Sequence, residues 1–422
     1  MRTVESRRRS IILETGATTK AERKDAHRRT GAFSWAMAIV AAALGVMFVG
    51  ATLPTPLYPI YRSSFEFGKL TLTLIYAIYV LGNLAALLFF GRLSDQVGRR
   101  LVTLPALGIG VLSVVAFIFA DGVSWLLAAR VLSGLATGLV SGATTAWIAE
   151  LQPQHGRAVA AVTASGANFM GLAVGSLLAG TLADQAPLPL RLSYIVYLGL
   201  LLAVGVALVF PRETVASRAS HWRDLALRPR LGVPAGIRLS FMSPAATAFA
   251  TFALLGFYAA LIPGVLVENL HQPRPLAAGA VVFALFLVAT ATTVLTGNVA
   301  SRNAMLGGLA LLPPALALLV GAEVTRSMLL LVTAAVVGGV ASALSYRGSL
   351  EVVNRISPAD RRSEVVSSYL VAVYAGNSLP MIGIGILSGL ESSGVAHVTF
   401  AVVIAALAAV AFFVGVKYAR EP

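Results

Sequence analysis

The chain has 422 residues, 57% of them hydrophobic and 12% charged, with a formal net charge of +14. Soluble domains carry about a quarter charged residues, so a surface this apolar excludes a soluble globule. The absence of cysteine excludes disulfides, thiolate metal sites and cysteine nucleophiles, and no Walker, H-x-x-x-H or G-x-S-x-G pattern supports ATP hydrolysis or hydrolase chemistry.

The first 31 residues hold nine Lys and Arg and lack the short apolar core and small-residue cleavage site of a signal peptide. They read as a disordered basic cytoplasmic tail that anchors topology, with binding to anionic lipid headgroups as the alternative. Twelve apolar spans follow, at Phe33–Leu53, Leu70–Phe90, Leu101–Ala120, Trp125–Ala149, Ala158–Ala183, Leu192–Phe210, Pro244–Val267, Ala277–Gly297, Ala304–Gly321, Met328–Ser349, Glu364–Gly389 and Val395–Tyr418. Blocks of about 20 apolar residues are long enough to cross a hydrocarbon core of about 30 Å as helices.

Positive charge accumulates in alternate loops. With the N-terminus inside, one side collects the tail, Arg92, Arg99, Arg100, Arg157, Arg212 and the later internal loops, while the other keeps Arg62, Lys69, Arg191, Arg274 and Arg326. The positive-inside rule therefore places both termini in the cytoplasm. That location of the charges assigns the basic character to membrane topology and not to nucleic-acid binding. The longest internal segment, 211–243, carries a short amphipathic pattern around Trp222, Leu225 and Leu227. It divides the chain into an N-terminal six-helix bundle, 32–210, and a C-terminal six-helix bundle, 244–422.

The halves repeat. Pro153 and Pro358, Arg157 and Arg362, Gly171 and Gly376, and Gly180 and Gly385 are each 205 residues apart. Internal repeats of this kind predict an all-α transporter with its site between the halves near the bilayer midplane.

The most specific segment is Gly91-Arg92-Leu93-Ser94-Asp95-Gln96-Val97-Gly98-Arg99-Arg100, between the second and third spans. Gly91 permits close helix approach and Gly98 a tight reversal. Asp95 can cap a helix start, and Arg99 and Arg100 can pair with acids or lipid phosphates. This segment resembles the signature loop of the major facilitator superfamily, G-x-L-x-D-R-x-G-R-R/K, departing from it at Gln96. The resemblance implies the superfamily's six-plus-six fold across Phe33–Tyr418. It also implies a conformational latch across the halves made by Asp95 and Arg99, with Arg92 and Arg100 as supporting charges; the bland alternative is an inside-positive turn.

Arg130 lies about five residues inside the fourth span, where a charge is costly and usually functional. Arg130-x-x-x-Gly134-x-x-x-Gly138 resembles the superfamily's fourth-helix motif, whose Arg is linked to proton transfer; a snorkelling side chain is the alternative. Asp121 and Asp184 are its candidate counter-charges. The fifth span carries Gly166, Gly171, Gly175 and Gly180 with Asn168, a spacing suited to close helix packing. Gly171–Gly180 resembles the antiporter motif of drug exporters, G-x-x-x-G-P-x-x-G-G, with Ser176 in place of Pro and Ala179 in place of Gly. In the eleventh span Pro380, after Gly376, removes a backbone hydrogen bond and marks a hinge.

Candidate cavity residues are Tyr76, Tyr79, Asn83, Asn168, Tyr258, Tyr369, Tyr374 and Asn377, the alternative being ordinary packing or an interfacial belt. No acid lies mid-span in the first helix, which ends in the kinked Leu53-Pro54-Thr55-Pro56-Leu57-Tyr58-Pro59. End-of-helix acids Asp95, Glu150, Asp184, Glu268 and Glu364 are then the candidate proton carriers. The expected function is proton-coupled efflux of a small apolar or amphipathic compound by a monomer in the inner membrane. Its partners are the small-molecule substrate, protons and the lipid bilayer, with no cofactor or metal. An uptake symporter for a small metabolite is the alternative, and a non-transporting sensor or membrane-embedded enzyme a more distant one.

Overall fold

In lipid a spanning segment must satisfy its backbone internally, which leaves helices as the solution for long apolar runs. A computed structural model describes residues 35–151, 157–215 and 231–418; the basic tail, Pro153 and the amphipathic stretch around Trp222 lie outside the described residues. The described chain is helical throughout its spans: α1 Trp35–Thr52, α2 Lys69–Phe90, α3 Arg99–Ile118, α4 Val123–Leu151, α5 Arg157–Gln185, α6 Leu192–Ala207, α7 Arg238–Ala260, α8 Pro275–Leu295, α9 Ser301–Thr325, α10 Met328–Ile356, α11 Arg362–Leu390 and α12 Ser393–Tyr418. Eleven of the described helices are long and apolar enough to cross a membrane, and α6, at 16 residues, is the shorter twelfth. The chain is a multi-pass membrane protein.

The ends of these helices follow from local chemistry. Pro54 and Pro56 cannot donate to the helical ladder, so α1 stops at Thr52 and the chain resumes after one 3-10 turn as the short helix Tyr58–Ser64. The seventh span breaks at the equivalent place, after Ala260, and resumes as Ile262–Glu268, again seven residues long. At Ser327 the side chain caps α10 by accepting from Leu330 N, 3.4 Å away. Between α2 and α3 a five-residue helix, Leu93–Val97, ends at Gly98 with φ 127°, a conformation that favours glycine.

Within α1–α6, α1 packs on α4, α5 and α6, and α2 and α3 both pack on α4; within α7–α12, α7 packs on α10, α11 and α12, and α8 and α9 both pack on α10. The sequence repeat is therefore a repeat of packing. A Cβ on Gly171 would overlap the Gly45 carbonyl of α1, and one on Gly376 would overlap the Phe249 carbonyl of α7. The two six-helix groups meet along two main seams, α5 on α8 and α2 on α11. Below, the face carrying Trp35 and Tyr418 is called terminal and the opposite face distal.

Candidate functional site

Between the two seams lies a cavity with about 770 Å³ of space free of protein atoms, adjoining open solvent included, walled by residues of both halves. On α2, Tyr76, Tyr79 and Asn83 face it, spaced three and four apart as one helical stripe. On α11, Val373, Tyr374 and Asn377 do the same. The two stripes meet: Tyr76 Oη donates to Asn377 Oδ1 at 2.9 Å, and Tyr374 Oη donates to Asn83 Oδ1 at 3.2 Å. Asn168 and Phe169 of α5 add to the wall, and Phe169 stacks on Phe286 of α8 with ring centroids 6.3 Å apart. Most of the remaining wall is aliphatic or aromatic, and among the described residues no acid lines it.

Two expected cavity residues lie elsewhere. On α7 the wall is made by Phe252, Leu255 and Ala259; Tyr258 points roughly 90° away from that stripe at 3.6 residues per turn, fully buried with no partner for its hydroxyl. Tyr369 is likewise buried and bonds Ser349 Oγ at 2.8 Å.

Arg130 sits one layer behind the cavity wall and is 0% exposed. Its Nη1 donates to Ala51 O at 3.2 Å and its Nη2 to Tyr58 Oη at 2.5 Å. The end of α1 makes the first bond available, because carbonyls in a last turn have no helical donor. The guanidinium also lies 4.8 Å from the Tyr79 ring centroid and 5.9 Å from those of Tyr58 and Tyr76. Desolvated cation–π contacts are worth about 2 kcal/mol or more. Tyrosines and a carbonyl, not a carboxylate, thus hold this charge. Asp184 is not its counter-charge: it pairs instead with Arg274 of the other half, 2.9 Å away.

On the terminal face the loop between α2 and α3 is organised around Arg99, 5% exposed. Arg99 bonds Asp95 and reaches Glu150 Oε1 at 2.5 Å and Ser94 Oγ at 2.7 Å. Glu213, just beyond α6, accepts from the backbone N–H groups of Arg99 and Arg100 at 2.9 and 3.0 Å. Partial burial pushes the Glu213 carboxyl up, but those bonds and the N–H groups of Thr214 and Val215 outweigh it and hold the carboxyl below its ordinary range. Arg100 bonds the Pro211 carbonyl. Asp95 and Arg99 therefore tie the loop to α4 and to the segment after α6, within one half. The bond across the halves comes from Arg92, whose Nη2 donates to Ser363 Oγ of α11 at 3.1 Å.

The distal face carries ion pairs that bridge the halves. Glu268 accepts from Arg62 at 2.7 Å and from Lys69 at 2.6 Å, and Lys69 also bonds Ser393. Burial pushes the Glu268 carboxyl up, but Lys69 and Arg62 override this and hold it below its ordinary range. Sequence reading placed these cations in loops as topology markers and gave no hint that they meet across about 200 residues. Of the four fifth-span glycines, Gly171, Gly175 and Gly180 sit at close approaches, whereas nothing lies within 4 Å of a Cβ added at Gly166. A Cβ on Gly175 would overlap the Val49 carbonyl of α1, and Gly180 lies against Pro275 and Gly279 of α8. The eleventh helix runs unbroken through Pro380.

Two similar six-helix halves around a central cavity are the architecture in which membrane transporters hold a site between their repeats. The chain belongs to the Major Facilitator Superfamily, whose family model matches residues 40–379. It is similar to the quinolone resistance protein NorA of Staphylococcus aureus, 31% identical over 115 residues that make up 27% of this chain and 29% of NorA. It is also similar to an uncharacterised MFS-type transporter, Rv1250, of Mycobacterium tuberculosis, 26% identical over 36% of this chain and 26% of that protein. The matched stretch thus spans less than a third of either relative. Among solved structures, a bacterial homologue of the human lysosomal transporter Spinster, in an inward-facing unoccupied conformation, has the same fold. Its TM-score is 0.69 at 16% identity, covering 93% of this chain and 100% of that one.

Proposed function

We propose that the protein exports small apolar or amphipathic compounds from the cytoplasm in exchange for protons, working as a monomer by alternating access in the plasma membrane. The observation that carries this reading is the cavity. It lies between the halves, its wall is mostly aliphatic and aromatic, and its polar groups are amides and hydroxyls, among them those of Asn83, Asn168, Asn377, Tyr76 and Tyr374. Such a wall takes up apolar surface and offers a few hydrogen bonds for orientation; it offers no carboxylate to a strongly cationic substrate. Local similarity to a quinolone resistance protein supports export over uptake.

The terminal face is the cytoplasmic one, in keeping with the loop charges. Substrate enters there, and the distal seam must part to release it. That seam is weak enough to part. Ion pairs about one-third exposed are worth roughly 0.2–1 kcal/mol each, and hydrogen bonds between membrane helices about 0.6 kcal/mol.

The test is growth of a pump-deficient bacterial host on a broad panel of toxic compounds, with wild type or Asp95→Asn protein at matched membrane levels. Wild type is expected to raise resistance to some compounds and Asp95→Asn to lose that resistance. Equal sensitivity of the two strains across the panel would overturn the export reading, and accumulation of a labelled metabolite by the expressing cells would replace it with uptake.

A further inference from the structure

Five end-of-helix acids stand out in the sequence as proton carriers, and the structure pairs each with a residue that stays charged at any working pH. Asp95 and Glu150 pair with Arg99, Asp184 with Arg274, Glu268 with Arg62 and Lys69, and Glu364 with Arg361. A sixth carboxylate differs. Glu323, in the last turn of α9, meets His397 of α12, with Oε2 and Nδ1 2.8 Å apart and both side chains under 10% exposed. Asn269 Nδ2 donates to the same oxygen at 3.2 Å, while Glu323 Oε1 is buried with no partner. Histidine is the side chain whose charge changes between about pH 5 and 8, so an imidazole–carboxylate pair can share or give up a proton, a partnership the other five acids, each facing Arg or Lys, do not have.

The pair is also joined to the distal seam at two points. Asn269 follows Glu268 in the chain, and Ser393, which bonds Lys69, lies one helical turn before His397. His397 opens on a pocket whose charged groups are Arg62, Lys69 and Glu268. The helices packed on α12 face the pair with uncharged groups, Phe257 from α7, edge-on to the imidazole at 5.1 Å, and Ile384 and Ser388 from α11.

We propose that the Glu323–His397 pair is the binding site of the coupling proton and that its proton load sets the distal seam. The proposal rests on the alternating-access reading but not on the direction of transport. With one proton shared between Nδ1 and Oε2 the pair is neutral overall. Without it the pair carries one negative charge, and burying that charge with only the Asn269 amide and a neutral imidazole N–H as donors is costly. Opening the seam hydrates both groups and lets them exchange a proton with distal water, so the proton-loaded pair favours the closed seam and the unloaded pair the open one. The net positive charge of Arg62, Lys69 and Glu268 acts in the opposite sense. Those side chains are 30–35% exposed, so solvent screens them, and the direct contact prevails.

The chain has no native cysteine, so one spin label can be placed on each half at the distal face, at Asp121→Cys and Gln272→Cys, in full-length protein in nanodiscs. The inter-label distance is then followed from pH 5 to pH 9. The wild-type background is expected to lengthen as pH rises, with one midpoint. His397→Gln and Glu323→Gln are expected to lose the transition or to move its midpoint by at least one pH unit, and Glu323→Asp to keep it with a displaced midpoint. Glu323→Gln can fail to fold, and His397→Gln then decides alone. A wild-type distance that does not respond to pH, or a midpoint retained in both Gln variants, would overturn the proposal. Transport is read separately: a pH-driven opening in a protein that moves no compound would sink the export reading and leave this site standing.

Discussion

Arg130 shows how a single buried charge is accommodated without a counter-ion. Its guanidinium fork serves Ala51 O and Tyr58 Oη at once and lies over the ring of Tyr79, which itself lines the cavity. A lysine ammonium is a point charge that cannot reproduce the fork or the flat stacking surface. Arg130→Lys is therefore expected to lower resistance to exported compounds about tenfold or more at matched membrane levels; undiminished resistance would remove Arg130 from the mechanism. Glu268 supplies a second residue-level expectation. Because Lys69 and Arg62 hold its carboxyl below the ordinary carboxylate range, its contribution to the closed seam is present above the ordinary value and lost only as pH falls through the lowered one. Glu268→Gln should thus loosen the seam across pH 6–8 by about two- to fivefold in the open-to-closed ratio, from loss of pairs worth under about 1 kcal/mol each. Labelling of Ser388→Cys, in the distal pocket, by a membrane-impermeant thiol reagent would measure this, and a rate unchanged by Glu268→Gln would contradict it. At this scale the stripes Tyr76–Tyr79–Asn83 and Tyr374–Asn377 are legible in the sequence because both follow the helical period. Their meeting is not legible, since helical period says which residues share a face and nothing about the helix opposite. Glu323 and His397 escape notice for a related reason: each is a lone polar residue near a helix end, 74 residues from the other.

Helices in this protein approach one another where glycine removes the side chain. The repeat of 205 residues predicts that α5 and α11 are equivalent, and the structure gives both 29 residues and the same kind of glycine contact, Gly171 on α1 and Gly376 on α7. Gly175→Leu would drive a side chain into the Val49 backbone and Thr52, and overpacking of this kind costs about 1–3 kcal/mol or more. Gly205, with nothing within 4 Å of an added Cβ, should accept Ala with a change within about 0.5 kcal/mol. Thermal unfolding of the two variants in detergent compares them directly, and equal loss would contradict the packing account. Ser176, where the exporter motif has proline, offers a finer case. Proline there would free the Leu172 carbonyl, but Thr52 Oγ1 already donates to that carbonyl at 2.7 Å. Ser176→Pro should therefore fold better than Ala173→Pro in the same helix, as judged by monodisperse yield. Glycine spacing thus reveals which helix is closely packed, while the identity of its neighbour had to come from the fold.

The whole molecule is two pseudo-equivalent halves with a largely apolar cavity between them, Arg130 buried behind the cavity wall and ion pairs bridging the halves at the distal face. Composition and loop charge make the span count and class legible, because lipid permits few solutions for such a chain. The loop between α2 and α3 makes the family legible. Which of its charges crosses to the other half is not, since Asp95, Arg99 and Arg92 all lie within one turn or two of each other; the fold turns Arg99 inward to Glu150 and sends Arg92 to Ser363. If the halves rock to release substrate at the distal face in exchange for a proton, substrate and proton fluxes must be coupled. The most direct test is a proton-flux measurement in everted membrane vesicles energised to an acid interior, using compounds to which the protein confers resistance. Addition of such a compound is expected to release protons and raise the internal pH in vesicles carrying the wild-type protein but not in those lacking it. Compound entering the vesicles with no movement of protons would contradict proton-coupled export.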